Sequence, residues 1–138
     1  MLGRKLYRRF RRQDLGIPGR SNLVGMLRAI KLGVAGVIVV GLGRLAAMGR
    51  LPRNILAGIR IPSTMRSDEA WRAGHQAAAS ALAVSGLGPI VVAIIVGMKR
   101  PDPDTQTSLD SLGTAWLLGW LGVATIQASS AARATSVG

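Results

Sequence analysis

The apolar positions of this 138-residue chain fall into three long runs, with arginine-rich polar stretches between them. Leu32–Gly43 carries no charge, and the run continues to Gly49 past Arg44 alone. Ala73–Met98 holds 26 residues without Asp, Glu, Lys or Arg, and His75 is its one ionisable side chain. Ser111–Ala132 holds 22 uncharged residues. A helix of about 20 residues crosses a hydrocarbon core of about 30 Å. The second and third runs meet that length directly. The first meets it if Arg44, near one end, lifts its guanidinium to the interface. The pattern predicts an all-α fold of three transmembrane helices, over about 26–48, 67–98 and 111–131. In organisation it predicts a basic tail over 1–25, a three-helix membrane domain over 26–131 and a short C-terminal tail over 132–138.

Local signals sharpen the helix ends. Ser67-Asp68-Glu69 reads as a helix start, with Ser67 as cap and two acids at the positive end of the helix dipole. A helix from Ser67 to Met98 would be about 48 Å long, so its first turns belong in the interface, with Trp71 at headgroup level. Pro89, after Gly86 and Gly88, is expected to kink that helix. Gly33, Gly36, Gly41 and Gly43 in the first span permit close approach of a neighbouring helix. Trp116 and Trp120 share a face of the third, and Ala115 and Gly119 form a small-residue pair beside it. Lys99–Asp110 reads as a polar turn.

The formal charge is +12, and its distribution argues for orientation rather than nucleic-acid binding. The tail lacks aromatic spacing for base stacking, and the spans account for the charge more simply. Leu2, Leu6 and Phe10 lie on one helix face. Arg4, Lys5, Arg8, Arg9, Arg11 and Arg12 fill the rest. Two readings stand for this tail: an amphipathic helix on anionic lipid headgroups, or a disordered tail whose charge only fixes orientation. A removed signal peptide fits poorly, because the basic stretch is long and no small-x-small site ends a short apolar core. Nine Lys/Arg lie in the tail up to Lys31, and Lys99 and Arg100 fall on the same side. The positive-inside rule then puts the N-terminus in the cytoplasm and the C-terminus outside a bacterial plasma membrane. Arg50, Arg53, Arg60, Arg66 and Arg72 would face outward, so they need local partners. The chain has no cysteine, which excludes disulfides and thiolate chemistry.

The stretch between the first two spans carries the densest motif. Asn54, then Gly58-Ile59-Arg60, then Thr64, then Ser67-Asp68-Glu69-Ala70-Trp71, then His75 resembles the hallmark of the SdpI family of bacterial membrane proteins. Gly49-Arg50-Leu51-Pro52-Arg53 and the order span, loop, span, span fit as well. The resemblance covers about residues 30–130, with Ile61 where members often have Thr. Fuller members carry further membrane segments upstream, where this chain has its basic tail. The resemblance implies an integral membrane protein that acts in immunity to a peptide toxin or in membrane signalling.

Read without the family, Asn54 can hydrogen-bond loop backbone. Gly58 suits a positive φ or close backbone contact, and Arg60 offers a planar five-donor fork. Asp68 and Glu69 are the acids nearest Arg60, which suggests an ion pair with one of them. The loop is then either a rigid cap whose polar groups satisfy one another, or a recognition surface for a peptide or lipid. His75 is either an interfacial histidine bonded to the loop or a proton relay. A zinc site needs three or four ligands, which one His and no Cys do not supply. Ser67, His75 and Asp68 could be imagined as a catalytic set, but their order supplies no geometry. No phosphate loop or dinucleotide fingerprint is present. The sequence therefore predicts no enzyme, no cofactor and no nucleic-acid partner. It leaves a rival class open: an accessory subunit, or a homo-oligomer, joined through small-residue helix faces. A transporter or channel is disfavoured by spans with almost no polar lining.

Overall fold

In the computed structural model, residues 20–53 and 57–135 are described. Asn54 and the basic tail residues Arg4, Lys5, Arg8, Arg9, Arg11 and Arg12 lie outside that range, as do the readings made of them. Among the described residues four helices follow one another: α1 Arg20–Ala47, α2 Pro62–Met65, α3 Asp68–Lys99 and α4 Pro103–Ala134. Three of them, α1, α3 and α4, are long and apolar enough to cross a membrane.

The ends follow from local chemistry. α1 closes in a Schellman motif on Gly49, whose φ of +64° a side chain would resist. There the Gly49 N–H donates to the Ala46 carbonyl at 3.0 Å and the Arg50 N–H to that of Leu45 at 2.9 Å. α3 starts where Ser67 Oγ accepts the Ala70 N–H at 3.0 Å, with Asp68 and Glu69 in the first turn. It runs through Pro89 as one helix and ends on Arg100, a left-handed residue whose N–H donates to the Val96 carbonyl.

The third span begins earlier than the sequence suggested. The expected polar turn over Lys99–Asp110 shrinks to Arg100–Asp102, and α4 starts at Pro103. Asp102 is the cap: its Oδ1 accepts the N–H groups of Asp104 and Thr105, each at 3.1 Å. Pro103 occupies the first turn, where a missing N–H costs nothing. The hydroxyls of Thr107, Ser108, Ser111 and Thr114 each donate to the carbonyl four residues back. Polar residues thus continue the helix instead of ending it.

The bundle packs through small residues. A Cβ on Gly36 would lie 2.5 Å from the Gly86 carbonyl oxygen, and one on Gly86 would strike the Gly36 carbonyl in return. Gly43 meets the α3 backbone the same way, 2.9 Å from the Ala83 nitrogen, and Gly33 faces Ala93. The first-span glycines therefore set the α1–α3 contact, apart from Gly41, which faces open space. α3 and α4 meet at Gly74 against the Ala128 carbonyl, with Ala124, Ala128 and Ala132 fully buried. Trp116 lies across Gly88 and donates its indole N–H to the Val84 carbonyl at 2.9 Å. The Trp116 and Trp120 rings sit 6.0 Å apart. A Cβ on Gly119 would meet nothing within 4 Å, so this glycine sets no close helix contact among the described residues. The main core, around Ala46, Leu51, Trp71, Ala78 and Leu82, lies toward the α1–α3 loop.

Candidate functional site

The described parts of the connection, residues 49–53 and 57–67, fold over the start of α3 and the end of α4 as a cap. Its centre is Trp71, 1% exposed, whose indole N–H donates to the Leu51 carbonyl at 2.8 Å. One turn on, His75 is equally buried and stacks on that indole, with ring centroids 4.0 Å apart and planes tilted by 31°. Its Nε2 accepts the Ile59 N–H at 2.8 Å. A backbone N–H can only donate, so Nε2 carries no proton and the other nitrogen does. Nδ1–H then donates to the Trp71 carbonyl at 2.8 Å. The imidazole is thus neutral and bridges the loop to its own helix, which is the loop-bonded histidine the sequence allowed.

Gly58 lies over both rings. Its φ is +107°, and a Cβ there would come within 2.6 Å of His75 Nε2 and 2.9 Å of Trp71 Cη2. Positive φ and close approach are both met, so no other residue fits without displacement. Thr64, fully buried, donates to the Ile59 carbonyl at 2.7 Å and accepts the Ile61 N–H at 3.2 Å. The short helix α2 is held by these bonds, with Pro62 in its first turn. Gly74 opens the space that the Thr64 methyl occupies.

The charged groups lie outside this polar core. Asp68 pairs with Arg53, Nε to Oδ1 at 3.0 Å. Arg53 also donates from Nη1 to the Met65 carbonyl at 3.0 Å, tying the start of the loop to its end. Arg66 reaches α4, donating to the Ala132 carbonyl at 2.9 Å. Ser63 and Ser129 approach at 3.4 Å along the same seam. Arg50, Arg60, Arg66, Glu69 and Arg72 are exposed and form the rim of the cap.

Of the sequence-selected residues, Thr64, Trp71 and His75 come together as one buried network, with half-buried Gly58 lying over it. Arg60, Asp68 and Glu69 stay at the surface. Arg53 and Arg66 stood only among the loop arginines expected to need local partners. Arg53 stands 15 positions before Asp68, and only the path of the loop joins them, so sequence spacing offered no signal. Both ring nitrogens of His75 are engaged and Ser67 Oγ serves the helix cap, so no nucleophile–base pair forms among Ser67, His75 and Asp68. Among the described residues no group of three or more His, Asp or Glu is placed to hold a metal.

No curated protein and no solved structure matches the chain. Residues 50–130, which run from the start of the cap to the last turns of α4, match a family of membrane proteins. The chain, with its Gly58–Trp71–His75 cap over three membrane-spanning helices, belongs to the SdpI/YfhL protein family.

Proposed function

We propose that this SdpI-family protein is non-catalytic and acts by recognition, in immunity to a peptide toxin or in membrane signalling, through the arginine rim of its cap. The observation that carries the reading is the division of labour in the loop. Gly58, Thr64, Trp71 and His75 are spent on holding the backbone, while Arg60 and Arg72 lie exposed on a surface that the network keeps in shape. A pre-ordered cationic rim loses little entropy on binding a partner. In the orientation favoured by the basic tail, the cap faces outward, where a secreted peptide arrives. Expression in a bacterial host challenged with a peptide toxin tests this. Arg60→Ala and Arg72→Ala should abolish protection at an unchanged membrane level. Full protection by both variants would defeat the reading.

The accessory-subunit reading has one observation of its own. A Cβ on Gly119 or Gly122 of α4 would meet nothing within 4 Å among the described residues, which leaves a small-residue face open to a partner helix or a second copy. Gly119→Leu should then remove the protein from a purified complex while leaving protection intact.

A further inference from the structure

On the membrane face opposite the cap, α1 and α4 diverge and leave a groove. Two stretches of it, of about 370 and 790 Å³, share Arg28, Thr107 and Asp110. Its head end holds Gln106, only 7% exposed, with Nε2 lacking any hydrogen-bond partner. Asp110 Oδ1 is likewise shielded and unpartnered. A buried amide N–H or carboxylate oxygen left unpaired is costly, so two beside one groove mark a place that a ligand completes. Gln106 is held there by Gly25, since any Cβ on that residue would collide with its amide. Arg28 and Lys31 add two exposed cations, and Leu32 and Leu118 line the apolar end.

Depth within the bilayer matches. α4 has 32 residues, about 48 Å, and a hydrocarbon core of about 30 Å leaves about six residues at each end in the headgroup layer. Gln106 falls in that layer, Asp110 at its inner edge, and Leu118 well inside the hydrocarbon. The polar groups thus lie near headgroup depth, with the apolar groups beneath them.

We infer that the α1–α4 groove binds one phospholipid with a primary-amine headgroup, of the phosphatidylethanolamine type. The phosphate oxygens accept from Arg28, Lys31 and Gln106 Nε2, and the ammonium donates to the Asp110 carboxylate. The amide reaches its partner by rotation about its terminal torsion, which has a broad minimum. The carboxylate sets the headgroup class. An anionic glycerol headgroup would leave Asp110 facing a phosphate without a cation. A choline headgroup carries no N–H to donate to it. The inference does not depend on the cap's role in recognition.

Native mass spectrometry of the full chain in detergent tests it, with phosphatidylethanolamine, phosphatidylglycerol and phosphatidylcholine of identical acyl chains supplied in competition. The expected result is one retained phosphatidylethanolamine, bound about tenfold more tightly than either rival, as a charge-assisted hydrogen bond implies. Asp110→Asn should erase that preference, and Gln106→Leu should weaken binding of all three lipids. Equal retention of the three by the wild-type protein, or a preference for phosphatidylglycerol, would overturn the inference, and neither result needs a variant to fold. Retained selectivity in Asp110→Asn of unchanged helicity would overturn it as well.

Discussion

Substituting Gly58 by alanine probes the cap at its tightest point. The residue sits at φ +107°, where a side chain is strained by about 1–2 kcal/mol. The new Cβ would lie 2.6 Å from His75 Nε2, and the ring cannot retreat, because Trp71 stacks behind it and Nδ1–H is bonded to the Trp71 carbonyl. The loop must lift instead, and lifting breaks the Ile59–His75 bond. A buried acceptor left bare adds about 1–3 kcal/mol. Together these effects favour local opening of the cap by about 2–5 kcal/mol. Hydrogen–deuterium exchange reads this at the Ile59 amide. Protection there should fall about 30-fold or more, since 1.4 kcal/mol is tenfold. Gly41→Ala, in open space on α1, is the control and should leave exchange in the cap unchanged. Equal protection of Ile59 in the two variants would refute the argument that Gly58 is fixed by both its backbone angle and its neighbours.

Trp71→Phe keeps the stack but leaves the buried Leu51 carbonyl without its donor, and should lower stability in detergent unfolding by about 1–3 kcal/mol. Thr64→Val, nearly the same shape, strips a partner from both Ile59 and Ile61 and should cost a similar amount by the same titration, about 1–3 kcal/mol. Gly86→Ala forces apart helices in backbone contact at Gly36 and should destabilise the bundle by about 1–3 kcal/mol in thermal unfolding, whereas Gly122→Ala should be neutral for the isolated chain. Asp68→Asn breaks a pair whose side chains are 38% and 72% exposed, so the loss should stay below about 1 kcal/mol and shrink further in high salt.

The parts legible in the sequence are those set by short-range chemistry. Apolar runs long enough for a bilayer located three helices, because a backbone in lipid must satisfy its own hydrogen bonds. Ser67 with two acids behind it marked the start of α3. Gly58 could be read as needing either a positive φ or close contact, and it meets both conditions. The start of α4 was missed because Pro101-Asp102-Pro103-Asp104 reads as a turn. The same residues supply a capping aspartate followed by a first-turn proline, and the hydroxyls beyond them bond back to their own helix. The partner of Asp68 could not be read. Arg53 stands 15 positions upstream, and its pairing depends on a chain path set by Trp71, Thr64 and His75 through contacts distant in sequence. The groove beside Gln106 was equally hidden, since it arises where α1 and α4 part.

The sealed cap closes one end of the helix bundle, and the α3–α4 turn lies at the other. The chain contains no cysteine, so single substitutions can be labelled cleanly with a membrane-impermeant maleimide in intact cells. Arg60→Cys, on the exposed rim, should react at once. Thr64→Cys, at a fully buried position, should resist until the protein unfolds. Asp102→Cys should react only after the membrane is opened. Reaction of Arg60→Cys and Asp102→Cys from the same side, or rapid labelling at position 64 in the folded protein, would contradict the account.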